Sequence, residues 1–229
     1  MNASRWNATR AVTLGLVGGY VDTVGYIMLR GLFPNHVTGN LPIAAAHPGK
    51  QSIPLLLMVP LFFAAVVLAA GAAGRMGGAE PSTGLPAILA AEAVLLALFL
   101  VLGAALVPDR NASTLLSQTI VGAAGVCAMG VQSVATRLGG YVFPTTMVTG
   151  TLTLLGMDVA EARQKGVALP RIKAFRRVVI AFAVGAALGG LMAGLVRFWA
   201  IALPVVAVAL CARGEVTFGP RAPAPAGRD

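Results

Sequence analysis

Between Ala11 and Ala212 the chain is a succession of apolar runs, most of about twenty residues, parted by short turns that collect nearly all of its charge. A helix rises about 1.5 Å per residue, so such a run crosses the roughly 30 Å hydrocarbon core of a bilayer. With 57% apolar and 11% charged residues, the chain cannot clothe a soluble globule, which uses about 25% charged residues. Its mean hydropathy of +0.83 agrees. The expected fold class is an all-α membrane protein, with the lipid bilayer as its first partner. The net charge of +9 does not point to nucleic acid, because the basic residues lie in loops and at the ends rather than along one amphipathic face.

The first run covers residues 11–33, after a polar segment 1–10 that carries Arg5 and Arg10. It is longer than a signal-peptide core, and no small-residue site closes it cleanly, so it reads as a retained span. Further spans are expected at 53–74, 87–107, 115–136, 178–196 and, shorter, 198–212. The turn Pro108-Asp109-Arg110-Asn111 divides a first membrane repeat, 11–107, from a second, 108–212. The second contains a basic cytoplasmic loop, 158–177, and the Pro-containing tail 213–229 is expected to be disordered and cytoplasmic.

Two short segments, 34–46 and 143–156, interrupt this plan. Phe33-Pro34-Asn35-His36-Val37-Thr38-Gly39-Asn40 is answered by Phe143-Pro144-Thr145-Thr146-Met147-Val148-Thr149-Gly150-Thr151, with one residue inserted, and Gln132 falls in register with Asp22. Thirteen residues of helix reach only about 20 Å, so the first segment reads as a half-helix or re-entrant piece. Six spans then form two three-helix repeats, and an odd number inverts the second relative to the first. The loops 47–52 and 158–177 carry one basic residue against six, as inverted repeats with opposite-facing loops require. With six spans and both termini cytoplasmic, 13 of the 17 basic residues fall inside, the positive-inside pattern. Eight spans would give the same count, so charge fixes the ends and leaves the span number open.

Asp22 stands near the middle of the first span, where a carboxylate costs about 2.5–3.5 kcal/mol on insertion scales. It reads as a protonatable coupling group or solute acceptor, or as a structural carboxyl bonded to a neighbouring helix through Gln132 or a threonine. Glu92 is the other acid inside a span, near enough to a helix end to reach the interface. Thr38-Gly39-Asn40 and Thr149-Gly150-Thr151 combine close backbone approach with capping side chains, as a polar-solute site or a helix cap needs. His36 suits proton handling, or a turn.

Gly15 and Gly19, Gly185 and Gly189, and Gly190 and Gly194 have the small-xxx-small spacing of close helix packing. Trp6 and Trp199 suit interface anchors. Cys127 and Cys211 lie in apolar runs and read as core residues. The sequence has no metal-ligand cluster, nucleophile elbow, phosphate loop or dinucleotide fingerprint, so no cofactor, metal or enzymatic activity is expected.

The motifs Gly19-Tyr20-Val21-Asp22-Thr23-Val24-Gly25-Tyr26, Thr38-Gly39-Asn40, Met129-Gly130-Val131-Gln132 and Thr145-Thr146-Met147-Val148-Thr149-Gly150-Thr151-Leu152 resemble the YoaK-like family of bacterial inner-membrane proteins. That resemblance covers roughly residues 10–212. It implies a protein of about six helices and brings no substrate with it.

The residues themselves suggest a small secondary transporter of an unidentified small solute in the bacterial inner membrane, proton-coupled through Asp22. The alternatives are a channel-like pore, or a non-transporting scaffold acting through the basic loop 158–177. A homo-oligomer is compatible with so modest a bundle.

Overall fold

The computed structural model describes residues 3–77, 84–139, 148–167 and 170–213. Among them there is no strand. Eight α-helices follow in order: α1 (Ala3–Met28), α2 (Asn40–Ala46), α3 (Ile53–Gly77), α4 (Leu85–Leu106), α5 (Leu115–Leu138), α6 (Val148–Lys165), α7 (Pro170–Val196) and α8 (Ala202–Arg213). Short 3-10 turns precede α2, α3 and α8. Four stretches within α1, α3, α4 and α5, and a fifth running from α7 through α8, are long and apolar enough to cross a membrane.

The distribution of polarity is the reverse of a soluble protein's. Leu68 is 73% exposed and Phe63 69%, while Asp22, Glu92, Gln118 and Gln132 are buried. Lipid accepts the former and offers the latter no hydrogen bonds, so this arrangement suits hydrocarbon surroundings.

Glycines set the closest helix pairings. Any side-chain carbon at Gly19 would collide with the Phe182 carbonyl, and one at Gly185 with the carbonyl of Leu16. Gly15 faces Val178 and Gly189 faces Tyr20, so α1 and α7 run in the same sense with their backbones almost touching. Gly122 likewise faces Leu32 and Met58, and Gly130 faces Ala65 and Phe62, making α3 and α5 a second same-sense pair. Two glutamines tie the pairs together in opposite senses: Gln118 Nε2 donates to the Leu29 carbonyl at 2.8 Å and Gln132 Nε2 to the Leu14 carbonyl at 3.0 Å. α4 and α8 close the bundle, with Phe198 seated edge-on to Phe99 at 5.3 Å. At its foot Arg10 Nη2 donates to the Cys211 carbonyl at 2.9 Å, covering one of the bare carbonyls at the end of α8.

Two boundaries differ from the sequence reading. The first span does not continue as helix to Phe33. Arg30 and Gly31 turn at φ +53° and +89°, and the Gly31 N–H reaches back to the Tyr26 carbonyl at 2.9 Å, a left-handed helix stop. Residues 158–177 are not a loop. α6 runs on to Lys165 through Ala, Glu, Arg and Gln, all strong helix formers, and only 166–169 separate it from α7.

Gly166 stops α6 at φ +63°, and Arg171 clasps the hairpin through Asp158 at 2.7 Å and Glu161 at 3.2 Å. Lys165, bonded to Glu161 at 2.8 Å, holds that carboxyl below the usual range, and the Arg171 charge adds to the effect. The side chain of Trp6, residues 143–147 of the second short segment, and 214–229 of the expected tail lie outside the described residues.

Candidate functional site

After its stop at Gly31 the chain does not leave the bundle. It doubles back along α1, and Asn35 and His36 come level with Asp22, six residues or about 9 Å before the end of that helix. Pro34 makes this possible by wedging between two bare helix surfaces. A side-chain carbon at Gly25 of α1 would lie 2.5 Å from the Pro34 ring, and one at Gly125 of α5 would lie 3.2 Å from it.

The buried Asp22 carboxylate holds the returning segment. It accepts the Asn35 N–H at 2.6 Å and the His36 N–H at 3.1 Å, and its second oxygen faces His36 Nδ1 at 3.2 Å. These groups have no strand or helix partner, so a charge that is costly in lipid is placed where irregular backbone needs an acceptor. Asp22 itself is 4% exposed. His36 is half-buried, with its ring edge-on to Phe182 at 6.0 Å. Further along, Asn40 clamps the same segment by exchanging two bonds with Phe33: it accepts the Phe33 N–H at 2.8 Å and donates to the Phe33 carbonyl at 3.0 Å.

Beside this segment opens a cavity of about 570 Å³. Asn35, His36 and Thr38 line one side, and Thr149, at the start of α6, lines it from the second short segment. Val59, Phe62, Phe63 and Val66 of α3 make an apolar wall. Ser133, Thr136 and Arg137, in the last turns of α5, complete it. The Thr136 and Ser133 hydroxyls donate to the Ser133 and Met129 carbonyls at 2.8 and 3.0 Å, so both have their donors occupied.

Of the residues singled out from sequence, His36, Thr38 and Thr149 meet at this cavity, with Asp22 directly behind His36. Gln132 is fully buried, bonded to α1 and not to Asp22. Gly39 packs on the Phe33 ring, Gly150 has no neighbour within 4 Å among the described residues, and Thr151 is buried. Glu92 does not reach the interface. It is 0% exposed, on the same α4 stripe as Leu85, Ile88, Leu89 and Leu96. Neither carboxyl oxygen has a hydrogen-bond partner among the described residues.

Sequence reasoning missed the α5 and α3 contributions. Both carry a signal: 133, 136 and 137 are polar at i, i+3, i+4, and 59, 62, 63 and 66 fall on one helix face. His, Cys, Asp and Glu residues form no group that could hold a metal ion among the described residues.

The family model for DUF1275, a protein of unknown function, matches residues 10–213, nearly the whole bundle. The chain belongs to this family. A curated relative, the UPF0700 transmembrane protein YoaK of Bacillus subtilis strain 168, is 29% identical over 168 residues, 70% of this chain and 70% of YoaK. No solved structure matches. The motif resemblance noted in the sequence is thus borne out, and with its apolar helices this DUF1275 member is a multi-spanning membrane protein.

Proposed function

We propose that the protein is a small secondary transporter of the bacterial inner membrane, with six spans, both termini cytoplasmic, and a solute site in the cavity between the broken segment after α1 and the start of α6. The observation that carries this reading is the meeting of His36 and Thr38 with Thr149 around one cavity. A site at the repeat interface formed in part by a broken helix is a recurrent feature of transporters built from inverted repeats.

The helix senses support such a repeat. α1 pairs in the same sense with α7, and α5 with α3, while α1 and α5 run oppositely. Exchanging α1 with α5, α3 with α7 and α4 with α8 therefore maps each same-sense pair onto the other with its direction reversed. Rocking of one half against the other would open the cavity to alternate faces.

Asp22 would couple protons through the backbone it holds. Adding a proton turns one acceptor oxygen into a donor and weakens the bonds to Asn35 and His36, so the charge on Asp22 and the seating of the broken segment change together.

Reconstitution into vesicles holding a proton-sensitive dye, with a panel of small solutes, tests this reading. Solute-dependent proton movement in the wild type, lost in Asp22→Asn, is the expected result. Movement identical in the variant removes Asp22 from the mechanism, and no solute movement at all removes transport.

A further inference from the structure

The lining of the cavity is unbalanced in charge. Of its residues Arg137 is a permanent cation and His36 can become one, while no Asp or Glu lines it among the described residues. The nearest acid, Asp22, lies behind the returning segment with its oxygens already engaged by Asn35 and His36. The Arg137 guanidinium is exposed and makes no hydrogen bond or ion pair among the described residues. Thr38 and Thr149 are exposed as well. Opposite them, Val59, Phe62, Phe63 and Val66 present a wholly apolar surface.

From this we infer that the solute is a small amphipathic organic anion, a carboxylate carrying a compact apolar body. Its charged end sits at Arg137 with the Thr38 and Thr149 hydroxyls donating to it, and its body lies against Phe62, Phe63, Val59 and Val66. A guanidinium offers a carboxylate two parallel N–H groups, and hydroxyls can fill the remaining lone pairs. An ammonium solute of the same shape would find no carboxylate to neutralise it and would meet the Arg137 charge. A neutral amide would keep the apolar contact and lose the charge-assisted bonds. The inference rests on the transport reading for its biological sense, but its chemistry is tested by binding alone.

The experiment compares three probes of matched shape, 3-phenylpropionate, its primary amide and 3-phenylpropylamine, for binding to the full chain in lipid nanodiscs by calorimetry. Uptake of the same three into vesicles is measured in parallel. The expected order is carboxylate, then amide, then amine. Arg137→Gln should weaken the carboxylate by about tenfold or more, the worth of a charge-assisted hydrogen bond, and leave the amide nearly unchanged. Arg137→Lys should recover part of the loss. Amide or amine binding as tightly as the carboxylate, carboxylate binding indifferent to Arg137→Gln, or no binding by any probe overturns the inference. Carboxylate binding that depends on Arg137 without uptake leaves the ligand class standing and removes transport. Uptake of the amine alone does the reverse.

Discussion

The Asp22 carboxylate takes the backbone N–H of His36 at 3.1 Å and faces the same residue's Nδ1 at 3.2 Å, so one acid fixes both the path of the chain and the direction of a ring. An asparagine at this position keeps one oxygen acceptor and turns a donor toward donors. Asp22→Asn should lower stability by about 1–3 kcal/mol, the cost of stranding a buried donor. Thermal unfolding in detergent checks this, with Asp22→Ala expected to be worse.

Glycine contacts divide into those that hold the bundle and those that do not. Gly19→Val would drive a side chain into the Phe182 carbonyl, and should cost about 3 kcal/mol or more, at the top of the range for overpacking. Gly194 of α7 has nothing within 4 Å among the described residues, so Gly194→Ala should stabilise by about 0.5–1 kcal/mol through backbone entropy. Denaturation midpoints of the two variants should move in opposite directions.

Gln118 and Gln132 make similar bonds to acceptors that do not depend on them alone. The Leu14 carbonyl lies inside α1, and the Leu29 carbonyl, just past its end, also accepts the Leu32 N–H at 3.2 Å. Gln132→Leu should therefore cost about 0.6 kcal/mol, the average for interhelical bonds in membranes. Gln118→Leu should cost about the same, because no carbonyl is stranded. A loss for Gln118→Leu several times that for Gln132→Leu in a side-by-side unfolding measurement would contradict this assignment.

The α6–α7 hairpin should respond to acid. Lys165 holds Glu161 below its ordinary range in the folded chain, so the contribution of that carboxylate is complete above the unfolded value. It is lost as pH falls through the lowered one. Protection factors of amides near the hairpin turn, taken relative to intrinsic exchange at each pH, should fall on acidification through the carboxylate range and also with added salt, which screens so exposed a cluster.

Much of this architecture was legible in the sequence because a bilayer imposes simple rules. Apolar runs the length of a membrane became α3, α4 and α5, and the glycine pairs at 15 and 19 and at 185 and 189 marked a close contact before its partner was known. The break after α1 was visible in Gly31 and Pro34. What stayed hidden was tertiary. Nothing local tells that Asp22 serves the backbone of residues thirteen and fourteen positions later, nor that Gln132, in register with it, bonds to Leu14 instead. The extension of α6 was obscured because it is charged and lacks the apolar period by which the other helices declare themselves. Arg137 falls just past the apolar run 115–136, and only the fold puts it beside Thr38 and Thr149.

The most direct test of the cavity as a solute path is thiol modification in a chain with Cys127 and Cys211 replaced by alanine. Thr38→Cys, from the segment after α1, Thr149→Cys, from the start of α6, and Leu68→Cys, on the outward apolar face, are each treated with a water-soluble thiosulfonate and assayed for solute flux in vesicles. The account predicts that the first two react and lose flux, that a transported solute slows both reactions, and that Leu68→Cys is unaffected. Modified Thr38→Cys and Thr149→Cys proteins that carry solute as well as the untreated ones would contradict it.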